Sequence, residues 1–230
     1  MEVYKHSAYA VTVIHNILRR ANESLIAHCN REDIDSTSKL QAFLGYLGAY
    51  TTHLDHHHHN EDVVFFPVLM KHGMNCDKLI QDHKDLEPLM EYLEKIAAIT
   101  KDKAQLAALS PDTFDFDTLK QKLQEIANFL NPHLDLEESE HTAEVYAAAN
   151  FPPEELVAVH DRIASESQKN GDGTIDLPFM VLNVTDEERR LFLAKAFPWV
   201  LLNVVIPLLT YVHWDYWQFS YAKSRKEKRY

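Results

Sequence analysis

The chain has 230 residues, nearly half of them apolar, and a formal net charge of −12. That acidity opposes nucleic-acid phosphates, and the apolar share excludes a disordered chain. With only five glycines and few alternating Val/Ile/Thr runs, strands have little to grow from and an all-α fold is expected.

Over residues 6–29, Ala10, Val13, Ile14, Ile17, Leu18, Ala21 and Leu25 recur at helical spacing. A polar break at 31–38 follows, where Ser36 or Thr37 can cap a second helix over 39–71, built on Leu40, Phe43, Leu44, Leu47, Leu54 and Val64. Pro67 predicts a kink or stop near its end, and Gly73 suits a helix C-cap. A third helix, 76–99, rests on Leu79, Ile80, Leu86, Leu89, Leu93 and Ile96. A fourth begins at 110–112 and runs to about 150 through Phe116, Leu119, Leu123, Ile126, Leu130 and Leu134, with a kink expected at Pro132.

Four such helices on short connections predict an up-down-up-down antiparallel four-helix bundle over residues 1–150. Residues 151–230 read as a helical C-terminal extension packing on it. It would hold a helix at 153–168, a Gly-Asp-Gly loop, a short helix from Asp186, an aromatic C-terminal helix and a basic tail, 223–229. The segment 168–179 resembles part of a calcium loop, but Gln168 and Phe179 stand where carboxylates are needed, so it reads as a turn. The apolar run 197–212 is short for a membrane span and is interrupted by Asn203 and Pro207. Trp199, Trp214 and Trp217 would suit a membrane interface, but packing on the bundle is the favoured reading. Cys29 and Cys76 stand far apart with no paired motif, and the N-terminus lacks a signal-peptide layout, so a reducing, cytoplasmic setting is expected.

The 14 histidines carry the chemistry. His57 and Glu61, His83 and Glu87, and His133 and Glu137 are each four apart, so each pair shares one helix face. The first helix adds His15 between Ile14 and Ile17. Burying this many polar groups without compensation would cost several kcal/mol, and bound metal supplies that compensation. Mixed imidazole and carboxylate without thiolate excludes iron–sulfur clusters and disfavours a Cys-type zinc site. Ligands from every helix of a bundle follow the general di-iron carboxylate plan, although His-x-x-x-Glu separates this chain from the Glu-x-x-His of ferritin-like proteins. His53 reads as either a supporting or a surface residue; His56, His58 and His59 are expected to face solvent. His141 can pair locally with Glu138, and His6, His28, His72, His160 and His213 read as structural.

The stretch from His57 through Glu61 to Phe66-Pro67 resembles the second-helix signature of the hemerythrin-like (HHE cation-binding) family. His15-Asn16, His83 and His133 with Glu137-Glu138 follow in the family's order, so the likeness spans about residues 8–147. Extensions containing Phe-Pro-Trp follow the bundle in fungal-type members, as they do here. The resemblance implies two iron ions, oxo- or hydroxo-bridged. His15 and His57 would hold one, His83 and His133 the other, and Glu61 and Glu137 would bridge them, with Glu138 as the alternative to Glu137. The oxygen carriers of the family have a second histidine on helix three where this chain has Glu87, which is expected either to ligate or to stand behind a ligand. The implied function is reaction with dioxygen or peroxide, as an oxidase or oxygenase on a small molecule whose pocket the C-terminal segment would line. The alternative is non-catalytic iron or oxygen binding, storage or sensing.

Overall fold

The computed structural model describes residues 1–223; all of the basic tail but Lys223 lies outside the described residues. The fold is all helical, with no strand among the described residues. Helix α1 spans Glu2–His28 and α2 spans Thr37–Asn60, capped by the Ser36 hydroxyl, which accepts from the Lys39 amide. Helix α3 spans Asp77–Ala98 and α4 spans Phe116–Glu140. Contacts run α1 to α2, α2 to α3, α3 to α4 and α4 back to α1, closing a four-sided bundle. Pairings between α1 and α4 fall in opposite sequence order, Thr12 with Glu138, Asn22 with Leu123 and Cys29 with Phe116, so these helices are antiparallel.

Helix α2 does not stop at Asn60. It widens into a π turn, Glu61–Phe65, and resumes as Phe66–Lys71. Pro67 has no amide proton to continue the ladder, and the Phe66 amide reaches back five residues to the Glu61 carbonyl. The same device recurs at Leu201–Val205, where Pro207 follows and the Ile206 amide bonds the Leu201 carbonyl. Helix α4 runs unbroken through Pro132 but ends ten residues before the expected position 150. A separate short helix, Ala143–Ala148, follows, capped by Thr142. The start of α4 also moves: residues 111–113 form a turn, and Asp115 caps the helix by accepting from the Thr118 amide at 2.9 Å.

Residues 151–223 share the bundle's apolar core. Helix α5, Pro153–Asn170, lies over α1, α2 and the π turn. The expected Gly-Asp-Gly loop opens a helix instead: α6, Gly173–Leu182, is capped by Asp172, which accepts from the Thr174 amide at 2.8 Å. The expected aromatic C-terminal helix is broken into the π turn, a helical turn at Ile206–Leu209 and a 3-10 turn at Tyr216–Phe219. From these pieces Phe179, Trp217 and Phe219 are buried against Phe43 and Tyr46 of α2. Gly45 makes room for this docking, because a Cβ there would overlap the Tyr216 ring. The opposite face of the 199–214 segment leaves Trp199, Leu208, Tyr211 and Trp214 exposed. No helix among the described residues is long and apolar enough to cross a membrane.

The core divides in two. One apolar cluster contains Ile17, Leu54, Leu86, Leu130 and Leu134; the other contains Val64, Phe66, Leu79, Tyr146 and Leu156. Between them on each helix lie the polar residues His15, His57, His58 and Glu61, His83, and His133 and Glu137. A polar layer therefore crosses the bundle between two apolar ones.

Candidate metal centre

Two groups of side chains in this layer can each hold a metal ion. His15, His57, Glu61 and Glu137 form one; His58, Glu61, His83 and His133 form the other. Glu61 belongs to both, and its two oxygens divide between them. Oε1 lies 3.1 Å from His57 Nε2, and Oε2 lies 3.5 Å from His83 Nε2. His15 Nε2 is 3.2 Å from Glu137 Oε2, and His83 Nε2 faces His133 Nε2 at 3.2 Å. Ligand atoms about 2.1 Å from one ion and at right angles to each other are roughly 3.0 Å apart, so these spacings suit a shared ion.

Hydrogen bonding within the protein does not account for the layer. Of twelve buried side-chain polar atoms without an aligned hydrogen-bond partner among the described residues, eight are here: Nε2 of His15, His57 and His58, Nδ1 of His133 and His141, Glu61 Oε2, and both oxygens of Glu137. Such atoms are costly unless something else satisfies them, and a cation can do so for Nε2 of His15, His57 and His58, Glu61 Oε2 and Glu137 Oε2. Imidazole nitrogen and carboxylate oxygen suit a first-row transition ion. The residues present fit the group.

The far nitrogens of three rings are held by acids. His15 Nδ1 is 3.0 Å from Glu138, which also accepts from Arg19 at 2.6 Å. His83 Nδ1 is 3.0 Å from Asp62, and His133 Nδ1 is 3.5 Å from Asp82, itself paired with Lys78. Such pairs fix ring orientation and tautomer, and they raise the basicity of the nitrogen turned to the ion. Phe66 stacks on the His83 ring, whose other face meets His58 at 4.2 Å.

Titration follows from this packing. Burial, reinforced by neighbouring imidazoles, pushes His57 and His58 well below the ordinary range, and burial takes His133 down to about 4. Burial and the Glu137 charge push Glu61 well above the carboxylate range. Burial also opposes the charged forms of His15 and Glu137, but their mutual attraction outweighs it, raising His15 and lowering Glu137. Burial thus favours the neutral imidazoles of His57, His58 and His133 and the neutral carboxyl of Glu61, against the mutual attraction of His15 and Glu137. Ion uptake must displace the Glu61 proton.

The structure brings His15, His57, Glu61, His83, His133 and Glu137 together and changes the rest of the expected set. Glu87 is exposed and belongs to neither group. The inner stripe of α3 runs Leu79, His83, Leu86, Met90, and Glu87 falls beside it, on the outer face. Of the expected Glu137 and its alternative Glu138, Glu137 joins a group while Glu138 stands behind His15. Glu137 joins one group only, because its second oxygen turns to His141 Nδ1 at 3.3 Å. His141 therefore pairs with Glu137 and not with Glu138.

His58 is the residue the sequence reading missed. Expected to face solvent, it is buried and completes the second group. The signal was present: Leu54, His58, Glu61 and Phe65 follow one another at helical spacing along the inner stripe. Of its neighbours, His56 is half-buried and His59 exposed, while His53 rests on Phe179 and burial lowers it to about 4. The aromatic C-terminal residues pack on the half of α2 away from the centre, with Phe179 reaching only His53, so they do not line the metal groups.

A family model described as the hemerythrin HHE cation binding domain matches residues 7–145. No curated protein and no solved structure matches the chain.

Proposed function

Because the chain belongs to the hemerythrin HHE cation-binding family, we propose that its polar layer holds two iron ions and reacts with dioxygen or peroxide. The observation that supports this reading is the division of Glu61, whose two oxygens face two histidine-rich groups. Iron held there supplies reversible one-electron oxidation and a Lewis-acidic position for an oxygen ligand.

The chain's own residues do the rest. Glu138, Asp62 and Asp82 orient His15, His83 and His133. Val64, Phe65 and Phe66 close the layer on one side, and Leu54, Leu86 and Leu134 on the other, keeping bulk water away from it. His15 and Glu137 are entirely shielded from solvent, and Glu61 and His133 nearly so. Such enclosure suits a diatomic molecule or peroxide better than an organic substrate. That narrows the oxidase or oxygenase reading to small oxygen species.

The test is stopped-flow absorbance of the iron-loaded, reduced chain mixed with air-saturated buffer or peroxide. The expected result is rapid growth of oxo-bridged ferric charge-transfer bands with matching consumption of oxidant. Iron retained without a spectral change would overturn this reading and favour storage or sensing.

A further inference from the structure

Tyr146 is fully buried beside the metal layer, and neither the ligand set nor its supporting acids use it. Its ring lies parallel to that of His141, 5° apart in plane with centroids 6.2 Å apart, and His141 Nδ1 touches Glu137 Oε1 at 3.3 Å. The ring of Tyr4 is 6.1 Å from that of Tyr146, half-buried, its hydroxyl donating to the Phe151 carbonyl at 2.6 Å. The Tyr146 hydroxyl is buried with no aligned hydrogen-bond partner, and Ser7 is among its neighbours. Ser7 Oγ in turn meets Nε2 of half-buried His160 at 2.8 Å. An aromatic line thus leads from Glu137 outward to Tyr4, and a hydroxyl–imidazole line leads from the Tyr146 phenol to His160.

We propose that Tyr146 and Tyr4 form a redox path between the metal centre and the protein surface, with Ser7 and His160 taking the Tyr146 proton. The proposal rests on the iron reading above. Hydrogen peroxide is the oxidant. With both ions already ferric, cleavage of its O–O bond to give two waters takes up two electrons and two protons. Tyr146 supplies one electron through His141 and Glu137, and Tyr4 supplies the other through Tyr146. Each phenol O–H breaks to leave a neutral phenoxyl radical. The Tyr146 proton passes to Ser7 Oγ as the hydroxyl proton of Ser7 passes to His160 Nε2, and the Tyr4 proton enters solvent. The two protons released balance the two consumed. Burial favours the neutral forms of Tyr146 and of the imidazole of His160, which suits a phenol that loses its proton only when oxidised and an acceptor ready to take it.

The experiment uses the full chain, iron-loaded and air-oxidised, mixed with one equivalent of hydrogen peroxide and frozen for electron paramagnetic resonance. A tyrosyl signal that narrows when the chain carries ring-deuterated tyrosine is expected. Tyr146→Phe keeps the ring packing and the iron content but should lower the signal at least tenfold, whereas Tyr4→Phe should halve it. Ser7→Ala should reduce the yield roughly tenfold, the equivalent of one lost hydrogen bond. Iron-replete protein that consumes peroxide without a tyrosyl signal, or a full signal in Tyr146→Phe, overturns the path and leaves the iron reading intact. A chain that takes up no iron overturns both.

Discussion

The chain buries carboxylates in two places and treats them in opposite ways. Glu188, where the C-terminal segment docks on α1, is saturated: Oε1 accepts from Arg20 at 2.6 Å and Asn16 at 3.0 Å, and Oε2 accepts from Arg20 and the Thr185 amide, both at 2.7 Å. Asn183 beside it is equally complete, accepting from the Tyr46 hydroxyl and the Tyr221 amide and donating to the Phe179 carbonyl. In the metal layer, Glu61 and Glu137 keep oxygens with no aligned donor. Burial pushes both regions toward neutral acids. At Glu188 the guanidinium and its companions overcome burial and hold the carboxyl below its usual range, while at Glu61 nothing does. A buried acid with all its donors is structural; one left without them is waiting for a cation.

Substitutions can break this contrast, and the largest effect is expected at the shared residue. Glu61→Ala removes an oxygen from both groups, so metal content by mass spectrometry should fall to near zero while helicity is kept. On the docking side, Arg20→Ala leaves Glu188 buried without its cation. It should destabilise the fold by about 3 kcal/mol in denaturant unfolding without changing metal content. The same pair gives a pH signature. The folded Glu188 pKa lies below its unfolded value of about 4.3, so its contribution is complete above that value and is lost as pH falls through the depressed one. Glu188→Gln should flatten that acid limb of the stability profile. A smaller effect is expected from Asp62→Asn, which disturbs only the far nitrogen of His83 and should weaken metal binding roughly 10- to 100-fold in chelator competition. Glu87→Ala, on the exposed face of α3, should change neither metal content nor spectrum.

That last expectation shows where the sequence was readable and where it was not. The four bundle helices and six of the seven residues in the two candidate groups could be seen from apolar stripes and from histidines set among them. Glu87 misled because a four-residue offset gives a neighbour on the helix but does not say which side of the stripe it takes; Leu86 and Met90 hold the inner line, and Glu87 is turned out. His58 was hidden in a run of four histidines, where only its alignment with Leu54 and Glu61 distinguishes it. One helix can supply both candidate groups because adjacent side chains diverge by about 100°, placing His57 and His58 in different groups. The C-terminal segment was harder still. Past α5, whose span 153–170 lies close to the expected 153–168, its helices are short, capped by Asp172 and Thr185, and broken before Pro207, so their form depends on the aromatic surface of α2 that they cover more than on their own periodicity.

The most direct measurement of the central claim is iron stoichiometry of the anaerobically reconstituted full chain, with Mössbauer spectra of the oxidised form. Two irons per chain in a coupled pair are expected, falling to one or fewer in His58→Ala, which removes a nitrogen from one group only. A single ion per chain that is unaffected by His58→Ala, or one zinc in place of iron, would contradict it.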